Sequence, residues 1–155
     1  MDLYTAIKVL HVLGAAILFG TGIGIAFFMV MAHRTGIPAI VAHTSRVVVI
    51  ADFLFTATAV VLQPITGAAM ILLAGYDWRA TWILAAIGLY VVAGTFWLPV
   101  VFMQRRMRTL ATEAAAAGAP LSADYRRLYA IWFIFGFPAF SAVLMIFWLM
   151  VAKPA

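Results

Sequence analysis

Residues 3–32 read LYTAIKVLHVLGAAILFGTGIGIAFFMVMA, thirty positions with one full charge, Lys8. A helix rising 1.5 Å per residue needs about 20 apolar residues to cross a bilayer core of about 30 Å. This stretch exceeds that length and predicts a membrane-spanning helix. Three further stretches repeat the pattern, so the spans are expected at about residues 3–32, 44–75, 81–104 and 124–152. The fold class that follows is all-α, a four-transmembrane-helix antiparallel bundle in a single integral membrane domain.

Composition agrees. The 155 residues are 67% hydrophobic and 10% charged, where a soluble domain is about half apolar and about a quarter charged. Once four spans and their connections are placed, no segment is left for a soluble catalytic domain, a nucleotide-binding fold or a zinc module. The chain has no cysteine, which excludes disulfides, cysteine-ligated clusters, thiolate zinc sites and covalently attached c-type haem. The net charge of +5 comes from basic residues beside the spans. It points to membrane orientation and anionic lipid, not to nucleic acid. Met1-Asp2-Leu3-Tyr4 has no basic n-region, and the apolar run after it is too long for a signal peptide, so the first span is expected to be retained.

The connections define the topology. His33 to Pro38 form a polar turn, with Pro38 suited to a first helical turn. Gly75-Tyr76-Asp77-Trp78-Arg79 is short enough to require antiparallel neighbours. The third helix is expected to continue past Arg105, Arg106 and Arg108 until Gly118 and Pro120 end it, with Ser122 as N-cap of the fourth. The two connections on one side hold Arg34, Arg46, Arg105, Arg106, Arg108, Arg126 and Arg127, seven of the ten basic residues. Positive-inside asymmetry places them in the cytoplasm of a bacterium, with both termini periplasmic or extracellular. Tyr4, Tyr76, Trp78, Trp82 and Trp148 then fit an outer aromatic belt, and Tyr125, Tyr129 and Trp132 an inner one.

Polar groups at hydrocarbon depth are the candidates for function, because lipid imposes a desolvation cost on them. His11 lies roughly 10 Å below the outer surface at about 1.5 Å per residue from Tyr4. One reading makes it an interfacial polar residue bonded to a carbonyl or water. The other makes it an axial ligand to a b-type haem, with Gly14, Ala15 and Gly22 leaving room for the macrocycle. Met70 and Met145 fall near the same depth. A His/Met pair, a five-coordinate iron and a ligand from Lys8 are all open, as is plain apolar packing by the methionines. Tyr90 and Ser141 are placed to hold a propionate or to satisfy backbone oxygens freed by prolines. On the opposite face of the first helix, Ala16, Gly20 and Gly24 form a small-residue ridge for a neighbouring helix, either a second copy or another membrane subunit.

The second span carries a polar stripe. Asp52, Thr56, Ala59 and Gln63 recur at i, i+4, i+7 and i+11, with Thr66 nearby. Asp52 lies about 9 Å inside the edge marked by Arg46. It is expected either to pair with an arginine such as Arg105 or Arg106, or to belong to a proton or substrate path. Gln63 precedes Pro64, whose missing N–H frees a carbonyl one turn earlier. His33 and His43 have no carboxylate partner and make a poor metal site.

The runs Ile7-Lys8-Val9-Leu10-His11-Val12-Leu13-Gly14, Val60-Val61-Leu62-Gln63-Pro64-Ile65-Thr66-Gly67, Trp97-Leu98-Pro99, Ala117-Gly118-Ala119-Pro120 and Ile146 to Lys153 together resemble a family of predicted bacterial integral membrane proteins, domain of unknown function 2269. That resemblance extends over nearly the whole chain and implies a membrane protein without an assigned activity. Lys8-x-x-His11 also resembles the first helix of the membrane protoporphyrinogen IX oxidases and of the copper-resistance D-type proteins. The oxidase likeness implies a b-type haem at His11. It covers one helix, and span three carries neither the lysine nor the histidine of that oxidase.

From these residues the expected functions are a haem or redox-cofactor membrane protein, a non-enzymatic accessory or scaffold subunit, and a small transporter using the Asp52 stripe.

Overall fold

A computed structural model of the chain describes residues 1–154. Four long helices account for most of it: α1 (Leu3–Thr35), α2 (Pro38–Ala74), α3 (Thr81–Ala116) and α4 (Ala123–Ala152). Each is long and apolar enough to cross a membrane. Within α2, residues Asp52–Thr56 form a π-helical turn, closed by Ala57 N–H donating to the Asp52 carbonyl. Periodicity alone does not reveal this widened turn.

Local chemistry sets the ends. Asp2 caps α1, its Oδ1 accepting from Thr5 N–H at 2.7 Å; these bonds hold its carboxyl below the ordinary carboxylate range. Gly36 follows in the left-handed region at φ 67°, a conformation that glycine adopts without Cβ strain. Pro38 occupies the first turn of α2. Ser122 caps α4 by accepting from Tyr125 N–H at 3.1 Å, as its sequence position predicts.

Helices α3 and α4 run together as a long antiparallel hairpin. The first half of α2 packs on α3, whereas its second half packs on α1 and makes scarcely any close backbone approach to α3 or α4. The closely packed core lies at the arginine-rich end. It combines Ile25, Met29 and Ala32 of α1, Val41, Ala42 and Val48 of α2, Met107, Leu110 and Ala111 of α3, and Leu121, Tyr125 and Trp132. His33 stacks on Tyr129 there, with ring centroids 3.6 Å apart and planes 7° from parallel. His43 is exposed, so the two histidines do not form a paired site.

At the opposite end Lys153 donates to the Tyr76 hydroxyl at 2.7 Å and lies over the Trp82 ring. The ammonium, with Lys8 as a further cation, holds the Tyr76 phenol below its ordinary range. Between the ends, Phe19 of α1 stacks on Phe140 and meets Phe147 edge-on. Large apolar side chains such as Phe53, Leu72 and Phe102 point outward, which is the arrangement that lipid favours and water does not.

Candidate functional site

The polar residues of α1 and α2 meet in one antiparallel contact. Pro64 cannot donate to the Val60 carbonyl, the partner that an ordinary residue at that position would use. The Tyr90 hydroxyl of α3 donates to that carbonyl instead. Tyr90 therefore satisfies a backbone oxygen freed by a proline, one of the two roles its sequence position allows.

One residue before the proline, Gln63 Nε2 donates to the His11 backbone carbonyl at 2.9 Å. The amide fits because residue 14 is glycine: a Cβ there would sit 2.6 Å from Gln63 Nε2. At Gly67 the constraint is far weaker: a Cβ there would come to 3.4 Å from His11 Cε1, close to an ordinary contact. Gly14 of α1 thus makes room for the Gln63 side chain of α2, while the His11 ring lies against Gly67. This interleaving corrects one expectation: the space beside Gly14 belongs to Gln63 and is closed to a macrocycle.

The ring of His11 is fixed by Thr66, with Nδ1 and Oγ1 2.8 Å apart. The Thr66 hydroxyl also lies 2.7 Å from the Leu62 carbonyl and 3.2 Å from that of Gln63. With its single proton on the nearer carbonyl, the hydroxyl oxygen accepts towards His11. Nδ1 then carries the imidazole hydrogen and Nε2 keeps its lone pair. Among the described residues, no hydrogen bond engages Nε2.

The other anticipated residues are more scattered. Lys8 is exposed, its ammonium 6.0 Å from the Tyr4 ring centroid. Met70 is half-buried, one turn beyond Thr66 on α2. Ser141 and Met145 are exposed on α4 and share a shallow depression with Leu144 and Trp148; its lining includes no residue of α1. Ala16 and Gly20 are exposed and Gly24 is partly so. A Cβ at Gly20 would meet nothing within 4 Å. Among the described residues, no group of three or more metal-ligating side chains is gathered.

Asp52 belongs to a second polar region, nearer the arginine-rich end. It is 5% exposed, and Trp97 Nε1 donates to its Oδ1 at 3.3 Å. An indole from α3 is its partner, in place of the arginine anticipated from sequence. Thr56, one turn further on, is 6% exposed, with its hydroxyl beside the Asp52 carboxyl. Sequence inspection passes over two other buried polar residues, Ser45 and Gln104. Their spacing carries a signal: Ser45 lies seven residues before Asp52 and Gln104 seven after Trp97, about two helical turns in each case.

Four apolar helices of spanning length, stitched by polar side chains at hydrocarbon depth, define an integral membrane helical bundle. The chain matches the family of predicted integral membrane proteins DUF2269 over residues 5–154 and belongs to that family. No curated protein matches it. No solved structure matches it either.

Proposed function

We propose that this protein is a redox protein of a bacterial cytoplasmic membrane that holds a b-type haem through His11. One observation carries the reading: the Thr66 hydroxyl holds the His11 ring at Nδ1, 2.8 Å away, and among the described residues no hydrogen bond engages Nε2. Histidines that ligate metals commonly donate their other ring N–H to such an acceptor, which fixes the tautomer and raises ligand basicity. The donor fits haem iron. The space beside Gly14 does not serve it, because Gln63 is there.

Lys8 lies one turn from His11 and supplies a cation for a propionate. Tyr90 is committed to the Val60 carbonyl, so it takes no part in that role. With Ser141 and Met145 exposed on α4, His11 is the one protein ligand in this proposal. A haem bound there would supply one-electron chemistry, with quinone or oxygen as the class of acceptor. The arginine-rich connections lie in the cytoplasm and both termini outside, following the charge asymmetry.

The optical spectrum of protein purified from haem-replete cells tests this. A Soret band is expected, absent from His11→Ala. Thr66→Val should retain the fold and weaken haem retention by about 10–100-fold, the usual cost of losing an outer-shell partner. A wild-type protein purified without haem from such cells overturns the proposal.

A further inference from the structure

We propose that Asp52 is a proton-binding site, reached from the arginine-rich end past the buried polar side chains of Ser45 on α2 and Gln104 on α3. This inference does not depend on a haem at His11.

Asp52 is the one acidic residue inside the spans. The other four, Asp2, Asp77, Glu113 and Asp124, are exposed. No cation faces it at its own depth. Between His11 and His33, α1 has no ionisable residue; beyond Arg46, α2 has only Asp52. Between Arg79 and Arg105, α3 has only Tyr90, and α4 has none between Tyr129 and Lys153. Along the helices, Arg46 is about 9 Å from the level of Asp52 and Arg105 about 12 Å from that of Trp97, at about 1.5 Å per residue. A carboxylate removed from water without a cation is costly, and binding a proton removes the charge.

The hydrogen bonds leave a place for that proton. Trp97 Nε1 is a donor only and uses Oδ1. Oδ2 is the oxygen on which an O–H can form; protonation makes that one bond and consumes one proton, with no change of oxidation state. Asp52 also opens the π-helical turn, a local departure from α-helical geometry often found at functional sites.

Polar atoms flank it on both sides. Thr56 Oγ1 is buried beside the Asp52 carboxyl itself, and Gln104 Oε1 is buried with no partner among the described residues. Gln104 is 2% exposed, and Ser45 is fully buried with its hydroxyl donating to the thioether of Met29. A thioether is a weak acceptor. Buried oxygens without partners are rare in native proteins and mark where small polar guests are accommodated. Ser45 and Gln104 lie on the arginine-rich side of the carboxyl, whereas Thr56 lies deeper. The stepping stones therefore lead towards that end.

Infrared spectroscopy of the full chain in lipid nanodiscs tests the proposal, because Asp52 is the one buried acid among the described residues and the other four face water. A protonated-carboxyl carbonyl stretch is expected at pH 7, shifting in D2O and absent from Asp52→Asn. Should that variant misfold, ¹³C-carboxyl aspartate in the wild-type chain assigns the band. Gln104→Leu should slow the D2O shift, whereas Met145→Leu on the exposed face of α4 should not. Carboxylate bands alone at pH 7 overturn the site. A carbonyl band that appears only when sodium is withheld makes it a cation site and also overturns it. An unchanged exchange rate in Gln104→Leu overturns the route.

Discussion

The two ends of this bundle hold their helices together by different means. At the arginine-rich end, residues from all four helices form one apolar core, with Met29, Val41, Met107 and Tyr125 fully buried. At the His11 end, few side chains are buried, and α1 is joined to α2 through the Gln63, Thr66 and Gly14 contacts. Lipid is as apolar as leucine, so burying leucine between helices gains little there. Close packing and hydrogen bonds are what remain. One end uses the first and the other uses the second.

The largest expected effect tests the packed end. Tyr125 is fully buried, lies 3.4 Å from His33 Nδ1 through its hydroxyl and stacks near Tyr129. Tyr125→Ala should cost about 3–5 kcal/mol, the usual range for deleting a large buried aromatic ring. Met145→Ala, on the exposed face of α4, should stay within about 0.5 kcal/mol. Denaturant unfolding in detergent micelles measures both. Equal losses would show that the two ends are packed alike.

Next comes the interleaved contact. Gly14→Ala places a Cβ against the Gln63 amide, displaces its bond to the His11 carbonyl and should cost about 1–3 kcal/mol. The loss should shrink in a Gln63→Ala background, since the clash and the bond are then already gone. A double-mutant cycle reads that coupling directly. If the two substitutions add independently, glycine and glutamine do not share the space.

Tyr90→Phe removes the one donor that the Val60 carbonyl has gained in exchange for the Pro64 N–H. Interhelical hydrogen bonds in membranes average about 0.6 kcal/mol and reach about 1.7. A loss near the upper figure is expected, because the carbonyl has no backbone donor to return to. A neutral substitution would mean that the proline-freed oxygen is satisfied from elsewhere.

Much of this was legible in the residues. Four charge-poor stretches specify four spans, and Pro38, Ser122 and Gly118 mark helix ends through local chemistry. Gln63-Pro64 announces a disturbed turn. Partners were less legible, because they depend on which helix faces which. The spacing 52, 56, 63 defines a face of α2 but not that Trp97 meets it. A glycine reads as a small residue, and only the facing helix shows that Gly14 makes room for an amide. The π-helical turn is hidden because a single extra residue in a turn leaves an apolar stretch apolar. Gln104 reads as the polar edge of a span beside Arg105, yet it is almost wholly buried.

The smallest expected effect concerns the ridge of Ala16, Gly20 and Gly24. Within one chain, a Cβ at Gly20 meets nothing within 4 Å, so Gly20→Ala introduces no clash. Alanine is favoured over glycine in a helix interior by about 0.8–1.0 kcal/mol, so the variant should be slightly more stable. A second helix seated on the ridge reverses the sign, because small residues there permit close approach and a methyl group separates the backbones. Unfolding as a function of protein-to-detergent ratio distinguishes the cases. A gain independent of that ratio describes a chain standing alone, with lipid on this face. A loss confined to high protein-to-detergent ratio describes a ridge that another copy covers, and the contrast between the two ends would then extend to a third contact, made between molecules.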